Sequence, residues 1–172
     1  MKKQAVTVAA AGLVLATMTG CGRQVAIEPP PDPPPICADL IENLPDSVDG
    51  SGRRPTSPDS DATAAWGEPP IVLRCGVPRP DALDSTSVLF DVDGIPWFPE
   101  DLQAGVVFTT IIPVGLPVGP DPSTIPDSDD PASDDPTSGY AYVEVIVPAA
   151  YPSPGSVIAD LTPARTQSNA TS

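Results

Sequence analysis

Few side chains in this sequence bear obvious chemistry, and three cysteines come first: Cys21, Cys37 and Cys75. A thiol can take a lipid, join a second sulfur or hold a metal, and its neighbours decide among these. Cys21 follows Met18-Thr19-Gly20, behind a run over 5–16 that is apolar apart from Thr7 and is preceded by Lys2 and Lys3. That run is shorter than the roughly 20 apolar residues of a spanning helix, and it has the charged start of a signal peptide. Small residues ahead of a cysteine at its end have the form of a bacterial lipobox. There the thiol is diacylated as a thioether and becomes the first residue of the mature chain. The sequence thus predicts a lipoprotein signal peptide over 1–20 and fatty acylation, palmitate included, at Cys21. The anchor places the protein on the extracytoplasmic face of the cell membrane. Two acyl chains, at about 0.8 kcal/mol per buried CH₂, suffice for stable attachment.

Cys37 and Cys75 are then an even pair in an exported chain. A structural disulfide between them is expected to add on the order of 3–4 kcal/mol in the chain-entropy account. Metal ligation and a redox-active thiol are the competing chemistries, but the chain has no CxxC and no histidine. The missing histidine also removes Ser-His-Asp and Cys-His nucleophile pairs and His-ligated zinc. Acid–base work would fall to carboxylates, with Glu68, Asp91, Glu100 and Glu144 as candidates for a hydrolase acting on cell-wall material. Such chemistry needs two carboxyls about 5–10 Å apart across a cleft, and no spacing in the sequence supplies that. Asp91-x-Asp93-Gly94 has a calcium-loop flavour, yet Ile95 stands where a third oxygen ligand belongs, so turn chemistry explains it better. Asp127, Asp129, Asp130, Asp134 and Asp135 lack a Gly-turned ligand spacing and read as a solvated charge run. No cofactor or metal site is expected.

The charge balance narrows the partners. Acids outnumber bases 23 to 8 for a net charge of −15, which excludes a phosphate-backbone binder and hence nucleic acid. Loss of Lys2 and Lys3 with the leader makes the mature chain more acidic still. Trp66, Arg74 and Tyr142 form the candidate face for a ligand or partner, with Trp97 as a further ring for small-ligand capture. Buried aromatic packing is the plainer explanation of those rings. Arg53 and Arg54 have an anionic wall component as a conceivable contact, and local pairing with acids as the simpler one.

These side chains need a scaffold. Cys37, Leu40, Ile41 and Leu44 fall on one helical face, and Pro45 ends the helix. Residues 47–60 read as loop, and 62–66 as a single helical turn capped by Asp61 and ended by Gly67. Ile71, Leu73, Cys75 and Val77 alternate with Val72, Arg74 and Gly76, a half-buried strand that carries Cys75 to the helix. Asp93-Gly94 suits a type I′ turn pairing Val92 with Ile95 and Phe90 with Trp97, all four covering the core. Pro96 marks its strand as an edge. Residues 106–112 and 140–147 are strands, with Ala141, Val143, Val145 and Val147 sharing one face. A short helix over 156–161 ends at Pro163.

Proline, at 26 of 172 residues, concentrates outside this scaffold. Pro29, Pro30, Pro31, Pro33, Pro34 and Pro35 predict an extended, lipid-anchored tether over 21–36. The segment at about 114–139 combines Pro and Asp with no Lys or Arg and is expected to be a disordered acidic insertion joining neighbouring strands. The fold class is therefore α+β. A single disulfide-bridged domain spans 37–162, with a small mostly antiparallel sheet and one or two short helices, followed by a disordered tail over 163–172.

Several blocks resemble a family of exported actinobacterial proteins known as domain of unknown function 3515. They are Cys37-Ala38-Asp39-Leu40 with Leu44-Pro45, Arg53-Arg54-Pro55, and the run from Ala64-Ala65-Trp66-Gly67-Glu68-Pro69-Pro70 through Ile71-Val72-Leu73-Arg74-Cys75-Gly76-Val77. Val92-Asp93-Gly94 with Trp97, and Tyr142-Val143-Glu144-Val145, complete the pattern. The resemblance makes 114–139 an insertion and the C-terminal helix a shortened one. The family has no established activity, so no catalytic residue is implied. The expectation is an exported, lipid-anchored cell-envelope protein, a non-catalytic binding or scaffold module for an unknown envelope protein or wall component.

Overall fold

β-Branched residues alternating with polar ones favour strands over most of the chain, and strands are what form. A computed structural model describes residues 23–113 and 140–170. In chain order the elements are β1 (Val25–Ala26), α1 (Ile36–Asn43), β2 (Ser47–Val48), β3 (Ser51–Arg54), β4 (Thr56–Ser57), β5 (Thr63–Trp66) and β6 (Ile71–Val77). They continue with β7 (Phe90–Val92), β8 (Ile95–Leu102), β9 (Gly105–Pro113), β10 (Tyr140–Pro148) and α2 (Pro154–Ala170). Eight strands make one sheet in the order β2-β3-β5-β6-β10-β9-β8-β7, and every pairing in it is antiparallel. β1 and β4 form a separate parallel pair. The protein is α+β and disulfide-bridged, as expected.

Both helices pack on one face of the sheet. Leu40 of α1 and Leu44 just past its end, with Val157, Ile158 and Leu161 of α2, meet Trp66, Ile71, Leu73, Trp97, Phe108, Val143, Val145 and Val147 in one core cluster. Each of the larger side chains contributes about 1.5–3 kcal/mol by leaving water. Cys37 in the first turn of α1 is bonded to Cys75 of β6 with 5.6 Å between their Cα atoms, so one covalent link staples helix to sheet.

The opposite face is covered by chain rather than by helix. Gly76, at φ 86°, is an extra residue in β6, because Tyr142 pairs with Val77 while the next residue, Val143, pairs with Cys75. This bulge turns Val77 away from the alternation of Ile71, Leu73 and Cys75. Val77 joins Leu83, Phe98, Ile111 and Tyr142 in a second cluster on the far face, not on the Cys75 face that simple alternation predicts. A Cβ at Gly76 would lie 3.0 Å from Pro33 Cα and Pro34 Cδ, so only glycine lets the N-terminal segment pass this closely.

That segment differs from its expected role. Instead of standing off as a tether, residues 23–34 lie across the domain. The Val25 N–H donates to the Pro55 carbonyl and the Ile27 N–H to the Ser57 carbonyl. Val25 and Ile27 bury with Ala65 against Val72. The alternating apolar side chains of 25 and 27 find a ready sheet face, and this outweighs the solvated conformation that prolines favour.

Other expectations change for similar reasons. Residues 63–66 form the four buried positions of β5, not a helical turn, because β3 and β6 flank them and satisfy both backbone edges. The expected loop over 47–60 contains β2, β3 and β4. Pro96 lies in β8, one strand in from the edge, opposite Asp91 of the three-residue β7. The α2 backbone continues past Pro163, the expected stop, because turns anchored by Val157, Ile158 and Leu161 tolerate one missing donor. β9 and β10 are neighbours with Pro113 opposite Tyr140, while segment 114–139 lies outside the described residues.

Candidate functional site

Trp66, Arg74 and Tyr142 do not make one face. Trp66 is fully buried on the helix side of the sheet, where its indole N–H donates to the Pro45 carbonyl at 3.0 Å and the Arg53 guanidinium sits 5.9 Å from its ring centre. Tyr142 and Arg74 point to the other side. Tyr142 is buried in the second cluster. Arg74 pairs with Glu144 directly across the β6–β10 ladder, Nη1 to Oε1 at 2.8 Å, and donates from Nε to the Glu28 carbonyl at 3.1 Å. This arginine therefore ties the sheet to the N-terminal segment. Trp97 is also buried, so the aromatic trio offers no exposed platform for a ligand.

The remaining arginines are similarly committed. Arg53 donates to the Leu44 and Ile41 carbonyls. Arg54 donates to the Gly67 carbonyl, to Glu68 and to the Arg23 carbonyl. A polar cavity of about 350 Å³ beside them is lined by Asp59, Asp61 and Thr63, but its two cations already serve the fold.

Three of the four candidate carboxylates have structural duties. Glu68 pairs with Arg54, Glu144 with Arg74, and Asp91 accepts the Gly94 N–H across its turn at 3.0 Å. Glu100 and Glu144 share the far face, two strands apart and offset by two residues. Ladder spacing puts their Cα atoms about 12 Å apart, a poor start for a cooperating pair. Among the described residues no group of three His, Cys, Asp or Glu side chains is placed to hold a metal ion.

A different place, which the sequence did not single out, has the features of a binding site. Asp93 and Gly94, at φ 53° and 79°, form the expected tight turn of the β7–β8 hairpin, with Phe90 opposite Trp97 and Val92 opposite Ile95. Ile95 and Trp97 enter the core, and Val92 packs against it. Phe90 does not: it is 56% exposed, because β7 ends the sheet and nothing beyond it supplies a wall. Beneath the hairpin is a cavity of about 380 Å³ between the helix-facing side of β7–β9 and the first turns of α2. Phe90, Val92, Trp97, Pro99, Val106, Phe108 and Ile158 make its walls apolar; Asp91 and Asp101 add two carboxylates and no lysine or arginine lines it. Trp97 is 2% exposed, and its indole N–H has no acceptor among the described residues. Alternation marked Phe90 and Trp97 as hairpin partners, but only the position of β7 at the end of the sheet turns them into a cavity wall.

The molecule is thus an antiparallel α+β domain, closed by one disulfide, with an acid-rimmed apolar cavity at one end of its sheet. The chain belongs to the family described as a protein of unknown function, DUF3515, whose model matches residues 4–115. The match stops where the Pro- and Asp-rich segment begins, so β10 and α2 lie beyond it. No curated protein and no solved structure matches this chain.

Proposed function

We propose that this protein is exported, anchored to the outer face of the cell membrane through lipid on Cys21, and acts there as a non-catalytic binding module. The carrying observation is the cysteine itself, set behind a charged start, a short apolar run and Thr19-Gly20. Its expected companions are the bilayer, through the lipid, and an envelope protein or wall component. The fold adds a geometric consequence. Val25 is already buried in the domain. Four residues from Cys21 reach at most about 14 Å, so the acylated chain would hold the domain against the bilayer rather than on a long stalk. Arg54 and Arg74 grip the same segment through the Arg23 and Glu28 carbonyls, which would keep it on the domain as the lipid inserts. Among the described residues no helix is long and apolar enough to cross a membrane.

Intact mass of the mature protein tests this directly. The expected species starts at Cys21, carries a diacylglyceryl adduct and lacks two hydrogens for the Cys37–Cys75 bond. A chain that keeps its first twenty residues and a free Cys21 thiol would overturn the reading. Crosslinking in living cells that returned no reproducible envelope partner would overturn the binding role while leaving the anchor in place.

A further inference from the structure

We propose that the cavity beneath the β7–β8 hairpin is the docking site for an extended, cationic segment of a partner protein, which adds as a strand to the outer edge of β7 and seats an apolar side chain in the cavity. The inference rests on the binding-module reading and is independent of the lipid anchor.

Among the described residues β7 is the last strand of the sheet, and its outer N–H and C=O groups have no strand partner there. Native edges are commonly blunted by shortness, lysine, proline or a cover. This one is short and carries acids, Asp91 within it and Asp93 in the turn. Those charges discriminate. They repel a second copy of a chain with a net charge of −15, and equally the chain's own 114–139 segment, which has aspartates and no base. A lysine- or arginine-bearing strand is attracted instead.

Apolar surface is offered beside the same edge. Val88 is 76% exposed and Phe90 56%, a pairing of large apolar groups that water does not favour. The adjoining cavity of about 380 Å³ falls within the usual range for ligand pockets and has room for an aromatic or branched aliphatic anchor. Trp97 forms part of the same wall, and its buried N–H has no acceptor among the described residues. Strand addition with one side chain in a pocket is an established way to combine backbone affinity with side-chain selection. The location fits an anchored protein. The N-terminal segment packs over β5 and β6, and β7 lies four ladder spacings from β6, about 19 Å away. A partner therefore meets the end remote from the lipid.

The experiment uses the purified full chain and a short peptide alternating lysine with leucine and phenylalanine, alongside two controls. One replaces lysine with glutamate; the other is methylated on its backbone nitrogens. Binding is read by calorimetry and by the tryptophan fluorescence shift. The lysine peptide is expected to bind saturably, the glutamate peptide not at all, and the methylated peptide at least about tenfold more weakly. Gly155→Leu is the key variant. Gly155 lines the cavity and a Cβ there meets nothing within 4 Å, so a bulky side chain is added at the cavity rim without disturbing the packed core. It should weaken the lysine peptide about tenfold or more, whereas Asp91→Asn with Asp101→Asn should erase much of the preference for lysine over glutamate.

Failure of the lysine peptide to bind, or equal binding to Gly155→Leu, overturns the site. Equal binding of the methylated peptide overturns strand addition. In cells, a photo-crosslinker at Val88 that captures nothing while one at Asp39 on α1 captures a partner overturns this location but leaves the binding role standing. Silence at both positions counts against both.

Discussion

Trp66 and Trp97 are both buried against the helix-facing side of the same sheet, yet Trp66 donates its indole N–H to the Pro45 carbonyl and Trp97 finds no acceptor among the described residues. The surroundings differ in the same sense. Near Trp66, Cys37–Cys75 ties α1 to β6, arginines cap carbonyls, and the N-terminal segment closes the far face. Gly67 at φ 71° belongs to this tightly fitted end: a Cβ there would lie 2.2 Å from the Tyr151 hydroxyl, which donates to the Pro69 carbonyl. Near Trp97 the sheet ends in a three-residue strand, a phenylalanine faces water and a cavity opens. One end is organised for stability. The other keeps an unmet donor and apolar surface in reach of solvent, which is how binding sites differ from cores.

The largest effect should come from cutting the staple. Replacing Cys37 and Cys75 with alanine is expected to cost about 3–4 kcal/mol in chemical denaturation, because the unfolded chain regains the freedom of the closed loop. A loss below about 1 kcal/mol would mean that packing of α1 alone holds this end together.

The two tryptophans supply the next test. Trp66→Phe removes a satisfied hydrogen bond and leaves the Pro45 carbonyl without its donor, for a cost of about 2 kcal/mol or more. Trp97→Phe also loses ring area but removes an unmet N–H, so the two terms oppose and the net change should stay within about 1 kcal/mol. Equal losses in thermal or denaturant unfolding would erase the proposed contrast between the ends.

Arg74 and Glu144 lie between the ends and should give a smaller effect. Their side chains are 30% and 18% exposed, so screening reduces the pair below a fully buried one. Arg74→Ala is expected to cost about 1–2 kcal/mol, part of it from losing the Glu28 carbonyl contact. Adding Glu144→Ala to Arg74→Ala should cost less than Glu144→Ala alone, since the carboxylate is then already unpaired. Strict additivity would show that the pair carries no coupling energy.

Much of the scaffold behind this contrast is legible in the sequence, though the cavity is not. The α1 face with Cys37 and the inward row of Ala141, Val143, Val145 and Val147 follow from periodicity. The β7–β8 turn follows from Asp93-Gly94, because few residues accept positive φ twice in succession. What escaped was decided by distant neighbours. Ala64-Ala65-Trp66 is a strand only because β3 and β6 lie on either side of it. Val77 changes face because one glycine adds a residue to its strand. The Pro-rich segment packs down because Val25 and Ile27 meet Ala65, whose exposure no local pattern announces. The cavity itself needs β7 to be terminal and α2 to arrive across it, both facts of topology rather than of spacing.

The smallest effect is expected in the stretch that covers the far face beyond Arg74. Asp84 accepts hydrogen bonds from the Thr86 N–H at 2.8 Å, the Thr86 hydroxyl at 2.7 Å and the Ser87 hydroxyl at 3.3 Å. These donors, Thr86 foremost, hold its carboxyl below the usual carboxylate value. A group whose folded value is depressed contributes order that is fully present above its unfolded value, and that order is lost as pH falls through the folded one. The turn should therefore be intact at neutral pH and loosen only below the ordinary aspartate range. Because Asp84 is solvent-exposed, the change should stay local: faster exchange of the Thr86 amide, with the Leu83 contact to Val77 and Tyr142 weakened and global unfolding scarcely moved. Asp84→Asn should show the loosened exchange at every pH and no titration. If the Thr86 amide were equally protected in that variant, the carboxylate would not be what holds this turn, and the cover over Val77 and Tyr142 would rest on the packing of Leu83 and Leu89.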